Sequence, residues 1–206
     1  MGNLKSVAKA FEHVAPDQRI LITSDAKDIA EADRVVLPGQ AAMPESMIAL
    51  NASGLREVLL TASKTRPFFG VCLGLQMIFE VSEEGPTPSL GYLPGRSVRF
   101  PKIHRDHDGN TLKVPHMGWN AVHFPREMAA HPCWAGVTDG NAFYFANSYY
   151  AVPANTAVVA GVANYPDPIC VAVSSANIFA VQFHPEKSAD AGLRVLKNFS
   201  TWNGLL

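Results

Sequence analysis

The 206-residue chain contains nothing approaching the roughly 20 consecutive apolar residues that span a bilayer, and its amino terminus lacks the charged and apolar regions of a signal peptide. A cytoplasmic protein, not a membrane protein, is the expectation. There is no excess of either charge: 17 Lys and Arg face 18 Asp and Glu, the formal net charge is −1, and no basic run stands out. That balance argues against nucleic acid or an anionic membrane as partner and points to a small substrate. Cysteine is scarce. Cys72, Cys133 and Cys170 are odd in number and far apart, which suits neither a disulfide framework nor a Cys-x-x-Cys metal site. Repeats, charge blocks and low-complexity linkers are also missing. Residues 1–206 therefore read as one domain, and an apolar fraction of 48% is enough to build its core.

What is present is an alternation of periods. Leu4, Val7, Ala8 and Phe11 fall at helical spacing and predict an opening amphipathic helix that ends before Pro16. Short apolar runs at 19–23 and 34–37 predict buried strands, and 45–62 predicts a helix weakened by Gly54. The apolar run 67–71 leads without a linker into Leu73, Leu75, Met77, Ile78 and Phe79, a helix apolar enough to be buried. Beyond Glu84, Pro and Gly separate short strands expected at 97–100, 120–124, 142–145, 157–162, 169–173 and 178–183, and a helix over 189–202 closes the chain. The expected fold class is α/β: a mainly parallel central sheet flanked by helices, with extra antiparallel strands.

The segment Gly70-Val71-Cys72-Leu73-Gly74-Leu75-Gln76 places a cysteine where a strand meets a helix, with glycine two residues away on each side. That is the pattern of a nucleophile elbow, in which small flanking residues let strand and helix approach and the nucleophile is exposed at the strand's carboxyl end. A cysteine at a helix amino terminus gains thiolate character, and the N–H of Leu73 is placed to receive an oxyanion. On this segment alone a buried structural cysteine remains the competing reading. Gln182-Phe183-His184-Pro185-Glu186 supplies a second signal. Proline biases His184 toward extended backbone, so residues two apart project to one side and a carboxylate can hold an imidazole. Cysteine, histidine and glutamate together fill the roles of nucleophile, general base and orienting group.

His13, His104, His107, His116, His123 and His131 have no carboxylate in comparable register within an extended strand end. The polar cluster His104, Asp106, His107 and Asp108 is followed by Gly109 and Asn110, which reads as a hairpin turn in preference to a metal site. Cys133 follows Pro132 in a loop and Cys170 lies inside an apolar strand; both read as structural.

With these residues the chain resembles the class I glutamine amidotransferases, whose signature is a G-x-C-x-G-x-Q elbow and a downstream H-P-E. Leu37-Pro38-Gly39 is similar to the loop that supplies a second oxyanion N–H in that family. Within the class, Val114-Pro115-His116-Met117-Gly118-Trp119-Asn120, Phe143-Tyr144-Phe145-Ala146-Asn147-Ser148-Tyr149 and Gln182 through Ser188 resemble the glutaminase subunits of imidazole glycerol phosphate synthase, and the likeness covers nearly the whole chain. The resemblance implies Cys72, His184 and Glu186 as catalytic residues, and glutamine contacts from Gly39, Gln40, Leu73, Gln76, Ser148 and Tyr149. It also implies a (β/α)8 cyclase partner that receives the ammonia, met by Asn3, Met117, Trp119, Tyr149 and Lys187. No cofactor and no metal are implied. A glutaminase of the anthranilate or aminodeoxychorismate type, a γ-glutamyl peptidase and a non-catalytic regulatory subunit are the alternatives.

Three departures from the family pattern stand out. Ala41 replaces a second glycine in the oxyanion loop, which restricts a peptide flip there. Asn147 stands where the family often has histidine. The family's short first strand is missing before Gly2-Asn3-Leu4, so Met1 is expected to be an internal methionine of a longer product, because a missing parallel strand leaves its neighbour's N–H and C=O groups unpaired.

Overall fold

The computed structural model describes residues 2–39 and 41–205, apart from the side chains of Gly2 and Asn3. Met1, on which the expectation of a longer product turns, lies outside them. Helix α1 (Gly2–Val14) buries Val7 and Phe11 and ends two residues ahead of Pro16, as its spacing predicts. The strand expected at 19–23 does not form. Leu21 and Ile22 are each 47% exposed, and the run joins no ladder among the described residues. An apolar run becomes a strand only where a neighbouring edge satisfies its backbone, and the ladder recorded for the next strand is with a different element.

Helix α2 (Ala26–Glu31) starts at Asp25, whose carboxylate accepts the N–H of Lys27 at 2.8 Å. Strand β1 (Val35–Gly39) follows, then helices α3 (Met43–Ser53) and α4 (Arg56–Thr65). These two replace the single helix expected over 45–62. Gly54 does more than weaken the run: it adopts a left-handed φ of 72° and ends α3. Strand β2 (Phe68–Cys72) passes directly into helix α5 (Leu73–Met77), which stops short of the expected Phe79.

The later strands are β3 (Val81–Ser82), β4 (Thr87–Pro88), β5 (Gly95–Arg99), β6 (His116–Ala121), β7 (Ala142–Asn147), β8 (Tyr149–Pro153), β9 (Val159–Asn164), β10 (Pro168–Ser175) and β11 (Ile178–Val181), before helix α6 (Ala189–Thr201). The strand expected at 120–124 is shifted toward the amino terminus. There the V-P-H-M-G-W-N segment itself is the strand, paired with β7 from His116↔Asn147 to Ala121↔Ala142. Cross-strand pairing decides where the strand forms, and here the partner is the aromatic F-Y-F segment.

The main sheet runs β1-β2-β11-β10-β8-β5-β3-β4, with β9 added on β10, while β6 and β7 form a separate ribbon. Strands β1, β2 and β11 are mutually parallel neighbours, and the sheet beyond β11 continues antiparallel through β10, β8 and β5. The parallel part matters for function. All five residues of β2 are buried, as expected of a strand covered on both faces. On one face Phe69 stacks on Phe179 and Phe199, with centroids 6.0 and 4.9 Å away, and α1 and α6 close over them. On the other, Phe68 packs with Leu75, Ile78 and Phe79. Each such side chain contributes roughly 1.5–3 kcal/mol by leaving water. Together they fix the ends of β2 and β11, where the chemistry sits.

Candidate active site

At the end of β2, Cys72 takes φ 56° and ψ −109°, a conformation that L-residues rarely adopt and that sharply turns the chain into α5. The flanking glycines are obligatory for the turn. A Cβ on Gly74 would lie 1.9 Å from the carbonyl oxygen of Leu37, and one on Gly70 would lie 2.9 Å from Ala180 Cβ and from the Gly74 backbone. The elbow is therefore real, with one correction. Cys72 is only 8% exposed, because residues after β11 fold over the sulfur instead of leaving it open at the strand end.

Parallel pairing puts Val181 beside Val71, so the segment that leaves β11 emerges next to the nucleophile. His184 is extended, with φ −99° and ψ 94°. Pro185 does not prolong the strand as expected: it opens a 3-10 turn over Pro185–Lys187, the preferred place for a residue without an N–H. The turn still brings Glu186 to its partner, and His184 Nδ1 lies 3.0 Å from Glu186 Oε1. Neighbours lock this turn in place. The His184 N–H donates to the Tyr144 carbonyl at 2.8 Å, the Tyr144 N–H donates to Ser188 Oγ at 2.9 Å, and Ser188 Oγ donates to the His184 carbonyl at 2.6 Å. From below, Gly192 of α6 approaches so closely that a Cβ there would sit 2.0 Å from the Pro185 carbonyl oxygen.

Burial acts to lower the imidazole pKa of His184, but hydrogen bonds and charge from Cys72 and Glu186 outweigh it and raise the value from 6.5 to about 9. The proton is thus held on the imidazole, between an anionic carboxylate on one side and sulfur on the other. His116 and His131 show the reverse: burial, without such partners, pushes each down to about 4. The other thiols are inert for the same reason, burial pushing Cys133 strongly upward and Cys170 up to about 12.

Of the glutamine contacts implied by resemblance, Gly39 pairs with Cys72 in the β1–β2 register, and a Cβ on it would lie 2.8 Å from Leu73 Cβ. Leu73 follows the elbow. Gln76 is buried and donates from Nε2 to the Tyr149 carbonyl at 3.1 Å; Asn147 Nδ2 donates to the same oxygen at 3.0 Å. Asn147 therefore joins the set through its amide, and Ser148 forms the bend between β7 and β8. Gln40 lies outside the described residues, as does the side chain of Asn3. Met117 and Trp119 are 64% and 56% exposed on β6. Trp119 meets Tyr144 edge-on at 6.1 Å, and Lys187 Nζ stands 5.7 Å over the Tyr144 ring, so these residues share one outer face. The predicted turn after His104 also forms, with Asp106 accepting the N–H groups of Asp108 and Asn110. Among the described residues, no three His, Cys, Asp or Glu side chains are grouped to hold a metal ion.

Sequence reasoning missed Gln182, Ser188 and Gly192 as parts of the site. Gln182 carried a signal: it is the one polar residue in the otherwise apolar run 178–183, and a buried polar group needs a partner. Ser188 appeared only as the end of the stretch that carries the resemblance, with no role implied, and Gly192 carried no signal, because their roles are contacts between elements.

Residues 3–201 match the family model described as Glutamine amidotransferase class-I. A Thiobacillus denitrificans protein named Imidazole glycerol phosphate synthase subunit HisH is 54% identical over 204 residues, covering 98% of this chain and 88% of that one. A protein of the same name from Aromatoleum aromaticum is 55% identical, covering 98% and 94%. The solved glutaminase domain of Trypanosoma brucei CTPS with bound acivicin shares the fold, with a TM-score of 0.63 at 18% identity over 98% of this chain and 90% of that one. With its elbow cysteine, its H-P-E turn and this depth of likeness, the chain belongs to the class I glutamine amidotransferases, in the HisH family.

Proposed function

We propose that this chain hydrolyses the side-chain amide of L-glutamine to glutamate and ammonia, and that it hands the ammonia to a (β/α)8 cyclase subunit making imidazole glycerol phosphate and AICAR in histidine biosynthesis. The observation that carries the chemistry is the pairing of an elbow cysteine with a histidine held 3.0 Å from a buried glutamate at the ends of adjacent parallel strands. Residues 1–206 act as one glutaminase domain in this reading, in a reducing cytoplasm that suits three free cysteines.

Sulfur of Cys72 adds to the amide carbon, and the oxygen that becomes anionic is received by the N–H of Leu73 and by the backbone at Gln40. The imidazolium of His184 gives its proton to the departing nitrogen, so ammonia leaves and a thioester remains. Neutral His184 then takes a proton from water, hydroxide adds to the thioester carbon, and collapse releases glutamate and the sulfur. Throughout, Glu186 fixes the tautomer and supports the charged imidazole. Gly39, Gln76, Ser148 and Tyr149 position the glutamine.

Two observations support a partner. The relatives are named as a subunit, and the face bearing Met117, Trp119 and Lys187 sets exposed apolar and cationic groups beside the site. The decisive experiment is Cys72→Ala in the complex with the cyclase. Glutamine-dependent synthesis is expected to vanish while synthesis from added ammonium continues. Loss of both activities in a correctly assembled complex would contradict the assignment.

A further inference from the structure

The polar side chain beside the nucleophile that the mechanism does not use is Gln182. It is fully buried, its backbone N–H is spent on the Val171 carbonyl at 2.8 Å, and its carboxamide lies between two groups: Cys72 Sγ, 3.8 Å from its Nε2, and Gln76 Nε2, 3.0 Å from its Oε1. The two ends of a glutamine amide are chemically opposite but similar in shape, so its orientation follows from its partners. Here the partners leave no choice. The Tyr149 carbonyl can only accept, so the Gln76 atom facing it is the NH2. That same NH2 faces Gln182, which must therefore present its oxygen, leaving its own NH2 directed at the sulfur. A single backbone carbonyl thus sets the polarity of a relay from Tyr149 through Gln76 and Gln182 to Cys72.

We propose that Gln182 is a positioning residue for the nucleophile, holding Cys72 Sγ as a hydrogen-bond acceptor so that its proton resides on His184. An N–H aimed at sulfur favours the anionic form over the thiol, because charge on the acceptor strengthens the bond. It also restrains Sγ through a contact separate from the one with His184. The charged groups around this pair meet at His184, which interacts with both Cys72 and Glu186. Gln182 adds a neutral donor that does not titrate. Gln76 takes on a second task here, since it orients Gln182 as well as contacting glutamine in the reading above.

The inference rests on the glutaminase reading for its biological use, but its test does not. Iodoacetamide alkylation of Cys72, followed by peptide mass spectrometry in the intact chain across pH, reads the sulfur whatever the substrate is. In Gln182→Met, which keeps length and removes the donor, the midpoint of the alkylation profile is expected to move up by about one pH unit, the tenfold weight of one charge-assisted hydrogen bond. In Gln182→Glu, whose oxygen still accepts from Gln76 but faces sulfur in place of N–H, an upward shift at least as large is expected, and near-ultraviolet dichroism identifies which variants are folded. Glutamine turnover by folded variants should fall about tenfold or more in kcat with KM little changed. Alkylation profiles of folded variants that coincide with the wild type would overturn the proposal. A shifted profile in a chain that never turns over glutamine would preserve it while refuting the glutaminase reading.

Discussion

The charge on His184 sets a measurable dependence of stability on pH. Its pKa is about 9 in the folded chain against 6.5 for a free imidazole. Because the folded value is the higher one, the contribution is fully present below pH 6.5 and is lost as pH rises through about 9. The side chain is 6% exposed and its partner 1%, so solvent screening takes little away. The span between the two values corresponds to about 3 kcal/mol, shared between Cys72 and Glu186. The assay is urea unfolding over that window, comparing wild type, His184→Gln and Cys72→Ala. Wild type should lose up to about 3 kcal/mol relative to His184→Gln as pH rises from 6.5 to 9. Cys72→Ala retains the Glu186 interaction alone and should show a shallower slope. A wild-type advantage over His184→Gln that is constant or grows with pH would show that His184 is not held protonated by its neighbours.

Acid should destabilise the chain by the opposite route. Burial lowers His116 and His131 to about 4, so the unfolded chain takes up protons first, and stability falls as pH drops from 6.5 toward 4, by up to about 3 kcal/mol for each. A urea midpoint that stays constant over that range would refute this, and His131→Gln should remove part of the loss. Gly192→Ala should displace the Pro185–Lys187 turn and lower kcat about 10- to 100-fold, read in a steady-state glutaminase assay, because a group moved by about 1 Å loses its reactive geometry. In native alkylation mapped by mass spectrometry, Cys72 alone should react, while Cys133 and Cys170 are labelled only after denaturation.

The legible parts of this molecule were those coded by neighbours in sequence. Gly70, Cys72 and Gly74 announce the elbow because all three fall within five residues of sequence, although the atoms that exclude a Cβ at the glycines include Leu37 and Ala180 on neighbouring strands. His184 and Glu186 announce their contact because only Pro185 separates them, even though the path between them is a 3-10 turn and not an extended strand. The run at 19–23 misled because period and apolarity describe a strand's faces and say nothing of whether an edge is available to pair with it. Strand β6 was misplaced for a related reason: its partner lies more than twenty residues downstream, and only the paired register fixes its ends. Gln182, Ser188 and Gly192 act across elements. Local pattern holds no record of such contacts beyond an oddly polar residue in an apolar run.

The stitch between Tyr144, His184 and Ser188 has a mechanical meaning. The strand that delivers His184 ends at Val181, and from there the imidazole is carried by a bond to β7 and by a hydroxyl that bridges β7 to the turn. Its height above the sulfur is therefore the height of the β6–β7 ribbon. Trp119 and Lys187 both contact the Tyr144 ring on that ribbon. Those exposed side chains are thus tied through Tyr144 to the proton donor, so the position of the imidazole is shared with a surface that lies outside the Cys72 elbow.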